Sequence, residues 1–155
     1  MNKINIGISS RLYQNQFEIR DSISIEWYKF IKIISDKKIN FIILPNIGKE
    51  ISSYIKNNNI NRLILSGGED IGIYKNRDIT EREIIKYSLK YKIPLIGICR
   101  GMQFIYKYFG GNLVKLKNNS HVRKSHKVLI DGKEIMVNSY HNYVIEKKNF
   151  KKKFK

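Results

Sequence analysis

The chain has 155 residues, of which 42% are hydrophobic, a length and apolar content that suit one domain with its own core and argue against wholesale disorder. No run approaches the roughly 18 consecutive apolar residues of a membrane span, and a single cysteine rules out both an internal disulfide and a multi-cysteine metal cluster. The formal charge of +17 raises nucleic-acid binding as a first question.

The patterning alternates along the chain. INIGI (4–8) reads as a strand, and residues 20–37 place Ile23, Trp27, Phe30 and Ile34 at helical spacing. NFIILP (40–45) is strand-like and ends at a proline, and GKEISSYIKNNN reads as a short helix with Ile51 and Ile55 four apart. RLILS (62–66) is a third strand running into Gly67 and Gly68. Residues 78–92 predict a helix with Ile84, Ile85 and Leu89 inward, Asp78 as cap and Glu81 completing a capping box. IPLIGI (93–98) is a fourth strand, apolar enough for burial on both faces. GMQFIYKYF (101–109) is the helix after it, stopped at Gly110 and Gly111. Beyond residue 112, Asp131-Gly132 between two strand-like runs signals a hairpin. Strand–helix alternation followed by a hairpin implies an α/β domain with a mostly parallel sheet. Ligands of such sheets sit at the carboxyl ends of the strands, where Gly67, Gly68 and Cys99 all fall.

The basic charge is a weak pointer to nucleic acid. The last nine residues hold six lysines and no acid, and without them +17 falls to +11. The chain also has no alanine and is rich in Ile, Lys and Asn, as an A/T-rich coding sequence would make it. Nucleic acid is therefore disfavoured as a partner, and an anionic small molecule is preferred. MNKINIGISSRLYQ has no long apolar stretch and no small-residue cleavage site, so a cytoplasmic protein without membrane attachment is expected.

GICRG (97–101) has the spacing of a nucleophile elbow, in which a tight strand-to-helix turn projects the central side chain and flanking glycines relieve the crowding. Cys99 there stands at a helix N-terminus, whose partial positive charge favours a thiolate. The N–H of Arg100 would face the oxyanion of a tetrahedral intermediate. On this pentapeptide alone, a small core thiol and a nucleophile are equally good readings. The neighbouring LILSGGED tips the balance, because two glycines beside the elbow let backbone approach a ligand and offer a further N–H.

LILSGGEDI, RDITEREII, IPLIGICRGMQFI, FGGNLVKL, His121 and VNSYHNYVI run in order through nearly the whole chain. Together they resemble the class I glutamine-amidotransferase-like family, in its γ-glutamyl hydrolase branch. GISSRL and EIRDSISIEWYKF look closest to bacterial members of capsule phosphoramidate synthesis, which makes γ-glutamyl-CDP-amidate the implied substrate. The resemblance implies a flavodoxin-like, mostly parallel sheet sandwiched by helices, with a C-terminal hairpin. The family domain would cover 1–146, followed by a lysine-rich tail at 147–155. It implies Cys99 as nucleophile forming a γ-glutamyl thioester, and oxyanion donors at Gly67 or Gly68 and at Arg100. Gln103 would hold the glutamyl group, and Asn138, Ser139, Tyr140 and His141 would form a loop bordering its pocket. His121 and His126 resemble a histidine-bearing segment on the acceptor side, and Arg11 and Arg20 could meet an anionic leaving group. No cofactor and no metal are implied.

The family's catalytic His and Glu, carried by a late W-H-x-E-like motif, have no match here: no H-x-E occurs, and the three histidines fall elsewhere. Three expectations compete. The chain is truncated before the last strands, a separate chain completes it, or His141 serves as base with Glu146 orienting it. Besides γ-glutamyl amide hydrolysis, the alternatives are a glutaminase subunit feeding ammonia to a synthetase and an inactive homologue that only binds ligand or partner.

Overall fold

The computed structural model describes residues 3–34, 39–116 and 122–145. Two compact units meet at 105/106 along the chain, and each is described by itself.

The first unit is built on a four-stranded parallel sheet of β1 (Ile4–Ser9), β4 (Ile39–Leu44), β5 (Arg62–Leu65) and β6 (Leu95–Gly97), in the order β4-β1-β5-β6. Between β1 and β4 the chain forms a hairpin, β2 (Arg11–Gln14) and β3 (Ile19–Ser22), and then α1 (Glu26–Ile34). A short 3-10 turn (Gly48–Glu50) and α2 (Ile51–Asn57) join β4 to β5, and α3 (Lys75–Tyr91) joins β5 to β6. The β1-to-β4 connection runs in the opposite direction across the sheet from the next two. Right-handed crossovers therefore set α1 on one face and α2 and α3 on the other. This is the predicted parallel sheet flanked by helices.

Strand alternation divides the core accordingly. Ile6, Ile8 and Ile64 are buried with Ile31 of α1, joined by Ile23, Trp27, Phe41 and Ile98. On the other face Leu63, Leu65 and Leu44 are buried, with Ile51 and Ile55 of α2 and Ile84 and Ile85 of α3.

Five expectations change. Residues 19–22 pair with 11–14 as a strand, so the helix starts at Glu26 and not at residue 20. Asp21 anchors that hairpin by accepting from Ser10 Oγ (2.7 Å) and Asn46 Nδ2 (2.6 Å). Phe30 turns to solvent and Ile31 takes the inward position, while the Ile34 side chain lies outside the described residues. The capping box is absent: α3 begins at Lys75 after Tyr74, which makes no side-chain cap, and Asp78 and Glu81 are drawn instead into ion pairs. Leu89 is exposed, and Ser88 occupies the inner stripe. Finally, β6 pairs among the described residues with β5 alone, and Ile96 is 56% exposed, so this strand is not buried on both faces.

In the second unit, β8 (Val122–Ile130) and β9 (Lys133–Tyr140) form the predicted hairpin. Asp131 (φ +49°) and Gly132 (φ +77°) make its two-residue turn, with the paired positive φ values of a type I′ loop. A second ladder pairs β7 (Val114–Lys115) with β10 (Tyr143–Val144).

Candidate active site

The site grows from the carboxyl ends of β5 and β6. After β6 the chain passes through Ile98 and Cys99 directly into α4 (Arg100–Tyr108). Cys99 has φ +53° and is exposed. A non-glycine residue in that left-handed region costs about 1–2 kcal/mol. It is held there by the turn, in which Gly101 N donates to Ile98 O (3.0 Å) and Gln103 N to Cys99 O (3.1 Å).

The flanking glycines have a steric cause. A Cβ on Gly101 would stand 2.1 Å from the carbonyl oxygen of Leu65 on β5, and one on Gly97 would stand 2.5 Å from the backbone of Gly101 and Met102. Only glycines let α4 start this close to the sheet. The G-x-C-x-G spacing thus encodes close packing of the helix start on two strands, with the thiol left facing out.

Gly67 lies beside this turn, since a Cβ there would stand 3.6 Å from Cys99 Cβ. Gly68 has φ +139°, and a Cβ on it would meet the Arg77 guanidinium at 2.5 Å. The N–H of Arg100 is the first of α4 and has no intrahelical acceptor. Gln103 is buried one turn on. The first unit therefore brings Gly67, Gly68, Cys99, Arg100 and Gln103 to one end of the sheet.

Beneath this turn is a polar cluster that sequence reasoning missed. Arg77 on α3 is fully buried. It donates through Nε to Glu81 (2.9 Å), through Nη1 to Glu69 (2.7 Å), and through Nη2 to the carbonyls of Ser66 (3.2 Å) and Gly67 (3.0 Å). Glu81, also fully buried, accepts from Ser9 Oγ (3.0 Å) and from Arg100 Nη1. Arg100 Nη2 donates to Asp78 (2.6 Å), so its side chain ties α4 to α3 and is withdrawn from solvent. Burial pushes the Glu69 carboxyl up, but bonds from Arg77, its own N–H and Leu12 N–H, with the Arg77 charge, outweigh that and hold it below its ordinary value. A signal was present: Arg77, Thr80, Glu81 and Ser88 share the helical stripe of Ile84 and Ile85, so polar residues occupied inward positions.

The other predicted residues belong to the second unit. Asn138, Ser139 and Tyr140 are strand residues of β9, paired with Ser125, Lys124 and Val122, and not a loop. The alternation buries Ser139 and exposes Tyr140. His141 follows the strand and is half-buried. His126 is on β8, while His121, Glu146 and the tail at 147–155 lie outside the described residues. In the first unit, Arg20 pairs with Glu18 on an exposed stretch, and Arg11 stands against the Gly68 turn, its Cβ 3.1 Å from where a Gly68 Cβ would be. Among the described residues no group of three His, Cys, Asp or Glu side chains could hold a metal ion.

The family model for class I glutamine amidotransferases matches residues 8–155. The chain belongs to this family. It is 37% identical over 150 residues to the γ-glutamyl-CDP-amidate hydrolase of Campylobacter jejuni, covering 92% of this chain and 72% of that protein. It is 33% identical over 134 residues to anthranilate synthase component 2 of Cyanophora paradoxa, covering 79% and 65%. A crystal structure of a Thermoplasma acidophilum protein, proposed to be one of the chains of a GMP synthase, superposes with a TM-score of 0.64 at 23% identity, over 95% of this chain and 69% of that one. At that identity it supports the fold of this amidotransferase-family chain and no more. No helix among the described residues is long and apolar enough to cross a membrane.

Proposed function

We propose that the chain hydrolyses a γ-glutamyl amide through Cys99. The observation carrying this reading is the exposed cysteine at φ +53°, set between β6 and the start of α4 by two glycines that admit no Cβ. Sγ attacks the γ-carbonyl carbon and forms the S–C bond, and the thiol proton passes to a base. The carbonyl oxygen becomes an oxyanion and accepts from the N–H groups of Gly68 and Arg100. The C–N bond then breaks, the nitrogen leaves with a proton, and water hydrolyses the thioester to free glutamate and restore the thiol. Gln103, buried one turn after Cys99, is assigned to the glutamyl group.

Arg11 points to the leaving group. It is exposed and borders the Gly68 turn, a position suited to a phosphate, and the similarity to the Campylobacter hydrolase makes γ-glutamyl-CDP-amidate the preferred substrate. Glutamate release from that compound and from glutamine should be measured for the wild type, Cys99→Ala and Arg11→Ala. Cys99→Ala abolishes both. Arg11→Ala raises KM for the amidate severalfold and leaves glutamine unaffected. Turnover that survives Cys99→Ala would overturn the mechanism. A second reading, a glutaminase subunit supplying ammonia to a synthetase, is favoured by the similarity to anthranilate synthase component 2. It expects glutamine hydrolysis to rise on adding a synthetase chain and amidate hydrolysis to be negligible.

A further inference from the structure

We propose that Arg77 is a positioning residue that fixes the oxyanion donor at Gly68; this rests on the reading of Cys99 as nucleophile. A peptide group is planar, and in the ordinary trans form its C=O and N–H point in opposite directions. The Gly67 carbonyl is therefore the handle by which the Gly68 N–H is aimed, and Arg77 Nη2 holds that carbonyl at 3.0 Å. The same nitrogen holds the preceding carbonyl, Ser66 O, at 3.2 Å, so two successive peptide oxygens are tethered to one guanidinium. The Gly68 N–H is thereby directed away from Arg77. Among the described residues it makes no backbone hydrogen bond, which leaves it available to a substrate oxygen.

The guanidinium is itself immobilised. Its Nε is bonded to Glu81 and its Nη1 to Glu69, and the whole side chain is buried. A planar fork bonded at every nitrogen cannot rotate to release the carbonyls without breaking several charge-assisted bonds together. Glu81 also binds Arg100, whose N–H is the second proposed donor. One carboxylate thus ties the residue that aims the Gly68 donor to the residue that carries the other. The second glycine of SGGED follows from the same arrangement, because a side chain at 68 would occupy the space of Arg77 Nη1. Donors held in place before reaction are worth more than donors that must reorganise, and loss of a single oxyanion donor costs about 10²–10³ in kcat.

The test separates oxyanion stabilisation from thiol reactivity. A chloroketone glutamine mimic alkylates Cys99 with its carbonyl oxygen in the oxyanion position. Iodoacetamide forms the S–C bond by direct displacement of iodide and needs no oxyanion donor. For folded Arg77→Lys, which keeps the charge and loses the fork, the chloroketone inactivation rate should fall about 10-fold or more while the iodoacetamide rate changes less than two-fold. Glu69→Gln, which turns the charge-assisted bond at one corner of the guanidinium into a neutral one with little change in shape, should lower the chloroketone rate about three-fold by itself, and it serves if Arg77→Lys does not fold. An unchanged ratio of the two rates in a folded variant, or an equal loss with both reagents, overturns the assignment. A wild type that reacts no faster with the chloroketone than a free thiol does overturns the nucleophile reading itself, and this inference with it.

Discussion

The two faces of the parallel sheet are made by the same strands and do different work. Toward α1, β1 and β5 present Ile6, Ile8 and Ile64, an apolar layer closed by Ile31. Toward α3, the buried layer of Leu63, Leu65, Ile84 and Ile85 gives way at the carboxyl ends of the same strands to a polar layer, in which Ser9 and Ser66 meet Glu81 and Arg77. The apolar layer stabilises by burial, which is non-directional and grades smoothly with volume. The polar layer is directional, and breaking a buried ion pair by removing one partner costs about 3–5 kcal/mol because the other charge is left uncompensated. The contrast explains why the glycine-rich turns sit over the polar layer at the strand ends. Carbonyls can be aimed by a guanidinium and cannot be aimed by an isoleucine.

The contrast can be broken or sharpened by substitution. Glu81→Ala strands Arg77 and Arg100 together and should have the largest effect, a loss of at least about 3–5 kcal/mol in urea unfolding. Gly101→Ala drives a methyl into Leu65 O and should cost about 1–3 kcal/mol or more while slowing the reaction of Cys99 with the chloroketone. Ile64→Val, on the apolar face, should cost only about 0.5–1.5 kcal/mol and leave the ratio of chloroketone to iodoacetamide rates as in the wild type. If Ile64→Val moved that ratio as far as Arg77→Lys does, the division between the faces would fail.

The smallest effect is in pH dependence. The Glu69 carboxyl is held below its ordinary value of 4.5, so its contribution to stability is complete above 4.5 and is lost as pH falls through the lower, folded value. Unfolding midpoints measured downward from pH 5 should decline less steeply in Glu69→Gln than in the wild type.

Much of this was legible in the sequence. Apolar runs of four to six residues located β1, β4 and β5, and Asp131-Gly132 located the hairpin turn, because strand burial and turn sterics are local constraints. The G-x-C-x-G spacing located the elbow for the same reason. The β2–β3 hairpin was missed because its pairing depends on Asp21 reaching Asn46, 25 positions away. The β9 assignment of Asn138, Ser139 and Tyr140 likewise depended on a partner strand, which set a register that their own residue types do not declare.

By itself, then, the sequence determined the strands of the parallel sheet, the order in which they are laid down, and the place where a cysteine leaves the last of them. Tertiary structure decided what the charged residues of α3 are for. Asp78 and Glu81 have the composition of a helix start and Arg77 that of a solvated surface, and nothing local distinguishes those roles. Only when β5, β6 and α3 pack together do Ser66, Gly67 and Arg100 arrive as partners from 11, 10 and 19 or 22 positions away. Long-range electrostatic pairing, unlike hydrophobic periodicity, leaves no repeat along the chain.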